Sequence, residues 1–159
     1  MSIERVRQYF ASQGIAERIQ EFDVSSATVE LAAAALGVEG ARIAKTLSFL
    51  LKDERCVLIV AAGDAKVDNG KYKAFFGQKA KMLPHDAVPE YVGHAVGGVC
   101  PFAVNPGVKV YLDESLRRFE TVFPAAGSAN SAIELTLAEL EQYSASDGWI
   151  DICKGWQPE

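Results

Sequence analysis

Residues 43–62 read IAKTLSFLLKDERCVLIVAA. They contain two apolar runs, at 43–51 and 56–62, separated by the polar tetrapeptide KDER at 52–55. Short apolar runs rich in β-branched residues, joined by a polar turn, are typical of a β-hairpin. The stretch therefore predicts two paired strands, around which the rest of the chain is arranged.

Helix and strand signals alternate irregularly on both sides of this hairpin. Thr28 and Asp68 are predicted helix N-caps, Gly37 and Gly77 end the same helices, and Thr136 opens a capping box with Glu139. The predicted helices lie at 3–13, 29–36, 69–76, 86–92 and 137–144, and the remaining strands at 109–112, 121–123, 132–135 and 149–153. Without regular βα alternation, this order predicts a single compact α+β domain over residues 1–159, with helices around a mixed, largely antiparallel sheet.

The composition excludes several classes of protein. With 49% hydrophobic and 23% charged residues, the chain has the composition of a soluble globular protein. Its three cysteines form no C-x-x-C pair, and its two histidines lack metal-ligand spacing, so no metal or cofactor is expected. The N-terminal residues do not resemble a signal peptide and no run of about 18 apolar residues occurs, so we expect a cytoplasmic protein without membrane contact.

The charge is acidic overall but basic locally. A net charge of −5 argues against sequence-independent binding of DNA or other long nucleic acids, which depends on Lys and Arg. Between Lys66 and Lys81, however, five lysines stand against the single acid Asp68. This segment is either a solvated helix face or a contact for the end of a short polyanionic ligand.

Lys45 is the first candidate for chemistry. In a strand it would project with Ile43 and Leu47 on an apolar face. Two interpretations are open: the side chain extends to solvent from the strand end, or its ammonium lies at the floor of a pocket and binds a phosphate or carbonyl oxygen.

Two glycine-containing segments are the other candidates. VGGVCPF at 96–102 could direct bare N–H groups at a ligand oxygen, as in an oxyanion hole, or could be a structural turn. PAAGSANS at 124–131 could line a tight pocket or only turn the chain. Cys100, beside the glycines, also allows a thiol-enzyme interpretation, which requires a neighbouring base or cation.

The three features in this order resemble the YbaK family, which is related to the editing domain of bacterial prolyl-tRNA synthetases. The resemblance rests on AKTL at 44–47, VGGVCP at 96–101, AGS at 126–128 and SAIEL at 131–135. It implies an α+β domain and an aminoacyl-tRNA deacylase that hydrolyses the ester of a mischarged tRNA in trans. Cys100 and Ala103 depart from residues that some members carry, which bears on the size of the pocket.

The resemblance also implies roles for individual residues. Lys45 falls on the pocket lysine that contacts the terminal adenosine, phosphate or ester, and the segment from Gly97 to Pro101 falls on the loop that positions the carbonyl and the water. The predicted catalytic residues are Lys45, Gly97 and Gly98. The predicted substrate-binding residues from these segments are Cys100, Pro101, Gly127 and Ser128, and the basic segment adds Lys71, Tyr72 and Lys73.

The expected substrates are small aminoacyl groups: Ala or Cys on proline tRNA, or Ser and Thr on other tRNAs. The expected partners are the tRNA acceptor end and an aminoacyl-tRNA synthetase. Lys71 and Lys73 would meet the acceptor stem, where Tyr72 could stack on a base or instead pack in the core. A non-catalytic module that binds aminoacyl-tRNA or a protein on the same fold is the alternative function.

Overall fold

The predicted hairpin forms the centre of the main sheet. Strands β2 (Ile43–Leu50) and β3 (Cys56–Ala62) pair antiparallel from Ala44 opposite Ala62 to Leu50 opposite Cys56. Every residue of β3 is buried, because strands flank it on both edges and helices and loops cover the sheet. This strand is the hydrophobic centre of the molecule.

The computed structural model describes residues 2–156, apart from the side chain of Ser2, so the predicted domain bounds at residues 1 and 159 lie outside the described residues. The α-helices are α1 (Ser2–Ser12), α2 (Val29–Leu36), α3 (Asn69–Phe76), α4 (Val88–Val92) and α5 (Leu137–Tyr143). Short 3-10 turns lie at Ala16–Arg18, Gly40–Arg42, His85–Ala87 and Glu114–Arg118. The other strands are β1 (Gln20–Glu21), β4 (Lys66–Val67), β5 (Lys109–Asp113), β6 (Thr121–Pro124), β7 (Ser131–Ala132), β8 (Leu135–Thr136), β9 (Trp149–Ile150) and β10 (Cys153–Lys154).

The main sheet has six strands in the order β8-β6-β2-β3-β5-β9. The pairs β2–β3 and β6–β8 are antiparallel, whereas β2–β6, β3–β5 and β5–β9 are parallel. Two small antiparallel pairs, β1–β7 and β4–β10, lie beside it. The predicted α+β class with a mixed sheet is confirmed.

Helix boundaries follow the predicted caps. The side chains of Thr28, Asp68 and Thr136 accept the expected backbone N–H bonds, and Thr136 forms its reciprocal capping box with Glu139. Gly37 ends α2 with a φ of 71°, in the left-handed region that glycine adopts without a side-chain clash. Local side-chain chemistry is therefore sufficient to place these ends.

Two predicted strands are each divided in the structure. Residues 132–135 supply β7 to one sheet and β8 to another, and residues 149–153 are divided between β9 and β10. The second break follows from the buried Asp113, whose carboxylate accepts the N–H of Ile152 at 2.9 Å and draws the chain away from the main sheet. Period-two alternation could not reveal this tertiary contact.

The core is formed between the sheet and helices from both ends of the chain. In α1, Val6 and Phe10 are fully buried, and the Phe10 ring lies 4.9 Å from that of Phe102 between centroids. A second, smaller cluster of Ala32, Ile43 and Phe123 fixes α2 against β2 and β6. Among the described helices, none has the length and apolar character needed to cross a bilayer.

Candidate functional site

One edge of β2 is only partly covered, and this leaves a cleft. β6 pairs with β2 at Ile43 and Ala44 only, and the chain returns to this edge where Met82 bridges Phe49. Between these two contacts the edge of β2 borders a cleft of about 340 Å³. Alternate residues of a strand direct their main-chain N–H and C=O groups to the same edge. The Ser48 carbonyl accepts the N–H of Leu83 on the cleft edge, so the main-chain groups of Thr46 face this edge as well.

The cleft is mainly apolar, with a few polar groups. Its apolar walls come from α2, β2, β6 and the segment from 82 to 99: Val29, Ile43, Leu47, Met82, Val88, Val96, Val99 and Phe123. Its polar contributors are Ser26, Thr28, Lys45, Thr46, Ser48, His85 and Ser131. Apolar walls with a few polar groups that fix orientation are typical of small-molecule sites.

Lys45 lies in this cleft and does not extend freely into solvent. Its half-buried ammonium donates to the carbonyl oxygens of Gly63, at 3.3 Å, and Ala65. Burial lowers the pKa of Lys45, while the nearby carboxylate of Asp64 opposes that shift. An ammonium has three N–H donors, so one remains for a ligand, since residues 2–156 supply no further acceptor.

The carbonyls that hold Lys45 depend on a close backbone contact that the sequence did not reveal. A Cβ atom on Gly63 would lie 2.0 Å from the carbonyl oxygen of Gly40, so only glycine allows the turn after β3 to approach the turn before β2. Gly63 therefore positions one of the carbonyl acceptors of Lys45. The signal was a glycine directly after a buried strand, which also fits an ordinary turn.

The two predicted glycine segments pack against each other. A Cβ atom on Gly98 would lie 2.8 Å from both the N and Cα atoms of Ser128, so the loops touch through their backbones. Gly97 has a φ of 91° and lines the cleft. Its N–H has no hydrogen-bond partner within residues 2–156, whereas the N–H of Gly98 donates to Ala95 at 3.0 Å.

This geometry corrects part of the prediction for the loop. Gly98 was expected to offer its N–H to a substrate oxygen, but the N–H is used inside the turn and the residue is buried. Gly98 acts here through its missing side chain, which allows the close loop contact. Gly97 remains a candidate donor.

Hydrogen bonds from α1 hold the residues on either side of the 96–102 loop. The guanidinium of Arg5, from α1, donates to the carbonyls of Gly93 at 3.2 Å and Ala103 at 2.6 Å. Ala103 has a φ of 52°, a conformation that favours glycine, so this clamp supports a strained residue. Arg5 was not among the predicted site residues, because its contacts span about ninety positions of the chain.

Cys100 is not in contact with the cleft. Its side chain is buried, with Sγ 3.6 Å from Nε2 of His94 and 3.8 Å from the carbonyl of Phe102. Burial raises the pKa of this thiol to about 12, so it is protonated at neutral pH. The predicted substrate contact and the thiol-enzyme interpretation are both wrong for this geometry.

The other predicted substrate contacts also lie behind the cleft wall. Pro101 and Gly127 are buried, and neither borders the cleft. The Ser128 hydroxyl is half-buried and bonds Asn130 at 2.9 Å and the Ser131 hydroxyl at 2.6 Å. The 124–131 segment lines the cleft instead at its two ends, through Ala125 and Ser131.

The three predicted residues of α3 lie in different surroundings, and this gives them different roles. Lys71 bonds Asp151 at 2.9 Å and the carbonyl of Cys153 at 3.1 Å, so its charge ties α3 to the end of the chain. Tyr72 is fully buried, with its ring centroid 5.1 Å from that of Phe49, so the core alternative is correct and base stacking is wrong. Lys73 is exposed.

The sequence profile of the family described as "Aminoacyl-tRNA editing domain" matches residues 23–143. A Bacillus subtilis relative, the uncharacterized protein YwhH, is 54% identical over 99% of this chain and 100% of its own. A putative Cys-tRNA(Pro)/Cys-tRNA(Cys) deacylase, EbsC of Enterococcus faecalis, is 29% identical over 68% of this chain and 66% of its own. A solved structure described as a putative trans-editing enzyme for prolyl tRNA synthetase superimposes with a TM-score of 0.85 at 28% identity, covering 97% of this chain and 98% of that one.

Proposed function

This chain belongs to the aminoacyl-tRNA editing domain family, and from that premise we propose that it hydrolyses, in trans, the ester of a tRNA mischarged with a small amino acid. The observation that carries the proposal is the cleft at the edge of β2. There Lys45 and Gly97, whose N–H has no hydrogen-bond partner within residues 2–156, both line one mainly apolar space. Membership of the family supports editing, and the residue roles below are proposed.

Hydrolysis of an aminoacyl ester needs charge stabilisation more than a strong nucleophile. Water adds to the carbonyl carbon, the carbonyl oxygen becomes negative, and the bond to the ribose oxygen then breaks as that oxygen takes up a proton. We assign stabilisation of the oxyanion to the Gly97 N–H and the Lys45 ammonium. The neighbouring ribose hydroxyl orients the water or relays its proton, so the substrate assists its own hydrolysis.

Specificity would come from exclusion by size. The cleft volume of about 340 Å³ lies at the lower end of the range of roughly 300–1,000 Å³ for ligand sites, which fits an aminoacyl group with its ribose. An apolar pocket discriminates one methylene by only about 1–3 kcal/mol, so excluding larger residues is more effective than selecting among small ones. Small aminoacyl groups are therefore the proposed substrates, and the family resemblance implies Ala or Cys on proline tRNA, or Ser and Thr on other tRNAs.

The test is deacylation of a panel of Ala-, Cys-, Ser- and Thr-tRNAs on cognate and noncognate acceptors. We expect rapid loss of one small aminoacyl group from a noncognate tRNA. Lys45→Ala should lower kcat by about 10²–10³-fold, the usual effect of removing an oxyanion donor. Lys109→Ala, on β5 and away from the cleft, is the matched control and should retain full activity.

Two results would contradict the proposal. Full kcat/KM in Lys45→Ala, with an unchanged unfolding transition, would remove the role assigned to Lys45. No turnover on any charged tRNA, with tRNA still bound, would favour the binding module instead.

A further inference from the structure

A second concave surface lies beside the hairpin turn, and we call it the basic groove. It encloses about 550 Å³ between the turn after β2 and the segment after α3. Its charged lining comprises four exposed lysines and one acid: Lys52, Lys73, Lys79, Lys81 and Glu54. This is a concentration of positive charge on a chain whose net charge is −5.

The groove is held by bonds between its two walls. The N–H of Lys52 donates to the Gln78 side chain at 2.8 Å, and the N–H of Leu50 donates to the carbonyl of Lys81 at 2.9 Å. The four ammonium groups form no ion pair within residues 2–156, unlike that of Lys71, which is neutralised by Asp151. Their charge is therefore available to a ligand.

One segment of the chain lines both the basic groove and the cleft. The segment that carries Lys79 and Lys81 continues along the edge of β2, where the N–H of Leu83 donates to Ser48 at 3.0 Å. Met82 and Leu83 border the cleft, so only one peptide bond separates a groove lysine from a cleft residue. The groove and the cleft therefore have neighbouring lining residues along the one segment from 79 to 83.

We propose that the basic groove binds the phosphate backbone of the RNA strand whose 3′ end enters the cleft. The inference rests on the proposed function and adds the path of the tRNA on the protein. Lysines act as point charges on phosphates and read no sequence, which suits a surface used with any acceptor end. A protein partner is less suited to this surface, because protein interfaces are enriched in aromatic and Arg residues and depleted in Lys.

The experiment measures binding of uncharged tRNA, which needs no hydrolysis, as a function of salt. Lys79→Gln with Lys81→Gln is compared with Lys109→Gln with Lys154→Gln, a control that removes the same charge from elsewhere. We expect the groove variant to bind about tenfold more weakly at low salt, and its slope of log K against log salt to be shallower by about 0.7–0.9 for each phosphate that is no longer neutralised. In deacylation assays its KM should rise while kcat at saturation is unchanged.

The outcomes separate this inference from the proposed function. Wild-type affinity and slope in the groove variant would overturn it, as would an equal loss in the control, since bulk charge would then be the cause. A chain that deacylates no charged tRNA but shows the groove-specific loss of tRNA binding would retain this inference and refute the hydrolase. Hydrolysis of a charged tRNA, with unchanged tRNA binding in the groove variant, would support the hydrolase and refute this inference.

Discussion

At the scale of single residues, surroundings decide which reactive side chains can act. Lys45 and Cys100 both lie near the predicted loops, but only Lys45 borders the cleft. Its ammonium keeps one donor for a ligand, whereas Cys100 is enclosed with His94, whose Nδ1 atom is also buried and has no partner within residues 2–156. Cys100 therefore belongs to the support of the loop.

This difference predicts the result of Cys100→Ala. We expect kcat/KM to stay within about twofold of wild type, because the thiol does not reach the substrate, and the free energy of unfolding to fall by about 1 kcal/mol because the smaller side chain packs less well. Deacylation kinetics and urea unfolding on one preparation measure both quantities. Loss of activity without loss of stability would restore the thiol interpretation.

The sequence was informative about residues whose role depends only on their near neighbours in the chain. Helix caps depend on neighbours three or four positions away, so Thr28 and Asp68 could be assigned directly. The burial of Tyr72 and the commitment of the Gly98 N–H depend on packing between distant segments, which one sequence does not display. The clamp by Arg5 is of the same kind.

At the scale of elements, the two glycine loops form one unit. Gly98 meets the backbone of Ser128 without room for a methyl group, and Gly97 next to it faces the cleft. The position of the Gly97 N–H is thus set by the loop behind it. A change at Gly98 should act on catalysis without touching the substrate.

Gly98→Ala tests this coupling. Its Cβ would lie 2.8 Å from the Ser128 backbone, so the loops must separate, and overpacking of this kind costs typically about 1–3 kcal/mol. We expect kcat to fall by at least tenfold, since a displacement of about 1 Å can cost about 10²-fold. Gly107→Ala is the control: its φ of 89° makes alanine strained, but no atom lies within 4 Å, so stability should fall while kcat is retained. Equal kcat values for the two variants would refute the coupling.

At the scale of the whole molecule, the fold was more predictable than the site. The hairpin, the caps and the mixed sheet follow from periodicity and capping chemistry, whereas the divided strands at 132–135 and 149–153 required knowledge of tertiary partners such as Asp113. The cleft arises where β6 stops pairing with β2, a property of the assembled sheet. The predictions for Lys45 and Gly97 were correct in that both line the cleft, whereas Gly98, Cys100, Pro101 and Gly127 do not, because packing between the loops buries them.

The buried thiols make the stability of the whole chain sensitive to alkali. Burial raises the pKa of Cys56 to about 11 and that of Cys100 to about 12. Burial and the nearby Asp113 carboxylate raise the pKa of Cys153 to about 12. A thiol in the unfolded chain ionises at about 8.5, so the stabilisation is complete below that pH and is lost as pH rises towards the folded pKa. The free energy of unfolding should therefore fall from about pH 8.5 upward, by at most about 1.4 kcal/mol per pH unit for each thiol.

Urea unfolding at several pH values between about 7 and 10.5 measures this decline. The variant with both Cys100→Ala and Cys153→Ala should be less stable at neutral pH but should lose less stability as the pH rises. A decline as steep as that of the wild-type chain would show that other groups cause it.

The uncovered edge of β2 has a consequence for solubility. Unpaired strand edges are templates on which other chains can extend a sheet, and proteins normally protect them. Here β6 closes one end of the gap at Ala44, and the segment at 82–83 closes the other by pairing with Phe49 and bonding the Ser48 carbonyl, so the notch spans only residues 45–47. It admits a small molecule but is too short for a foreign strand to register against it. The chain can thus keep peptide groups accessible for a guest without seeding intermolecular aggregation.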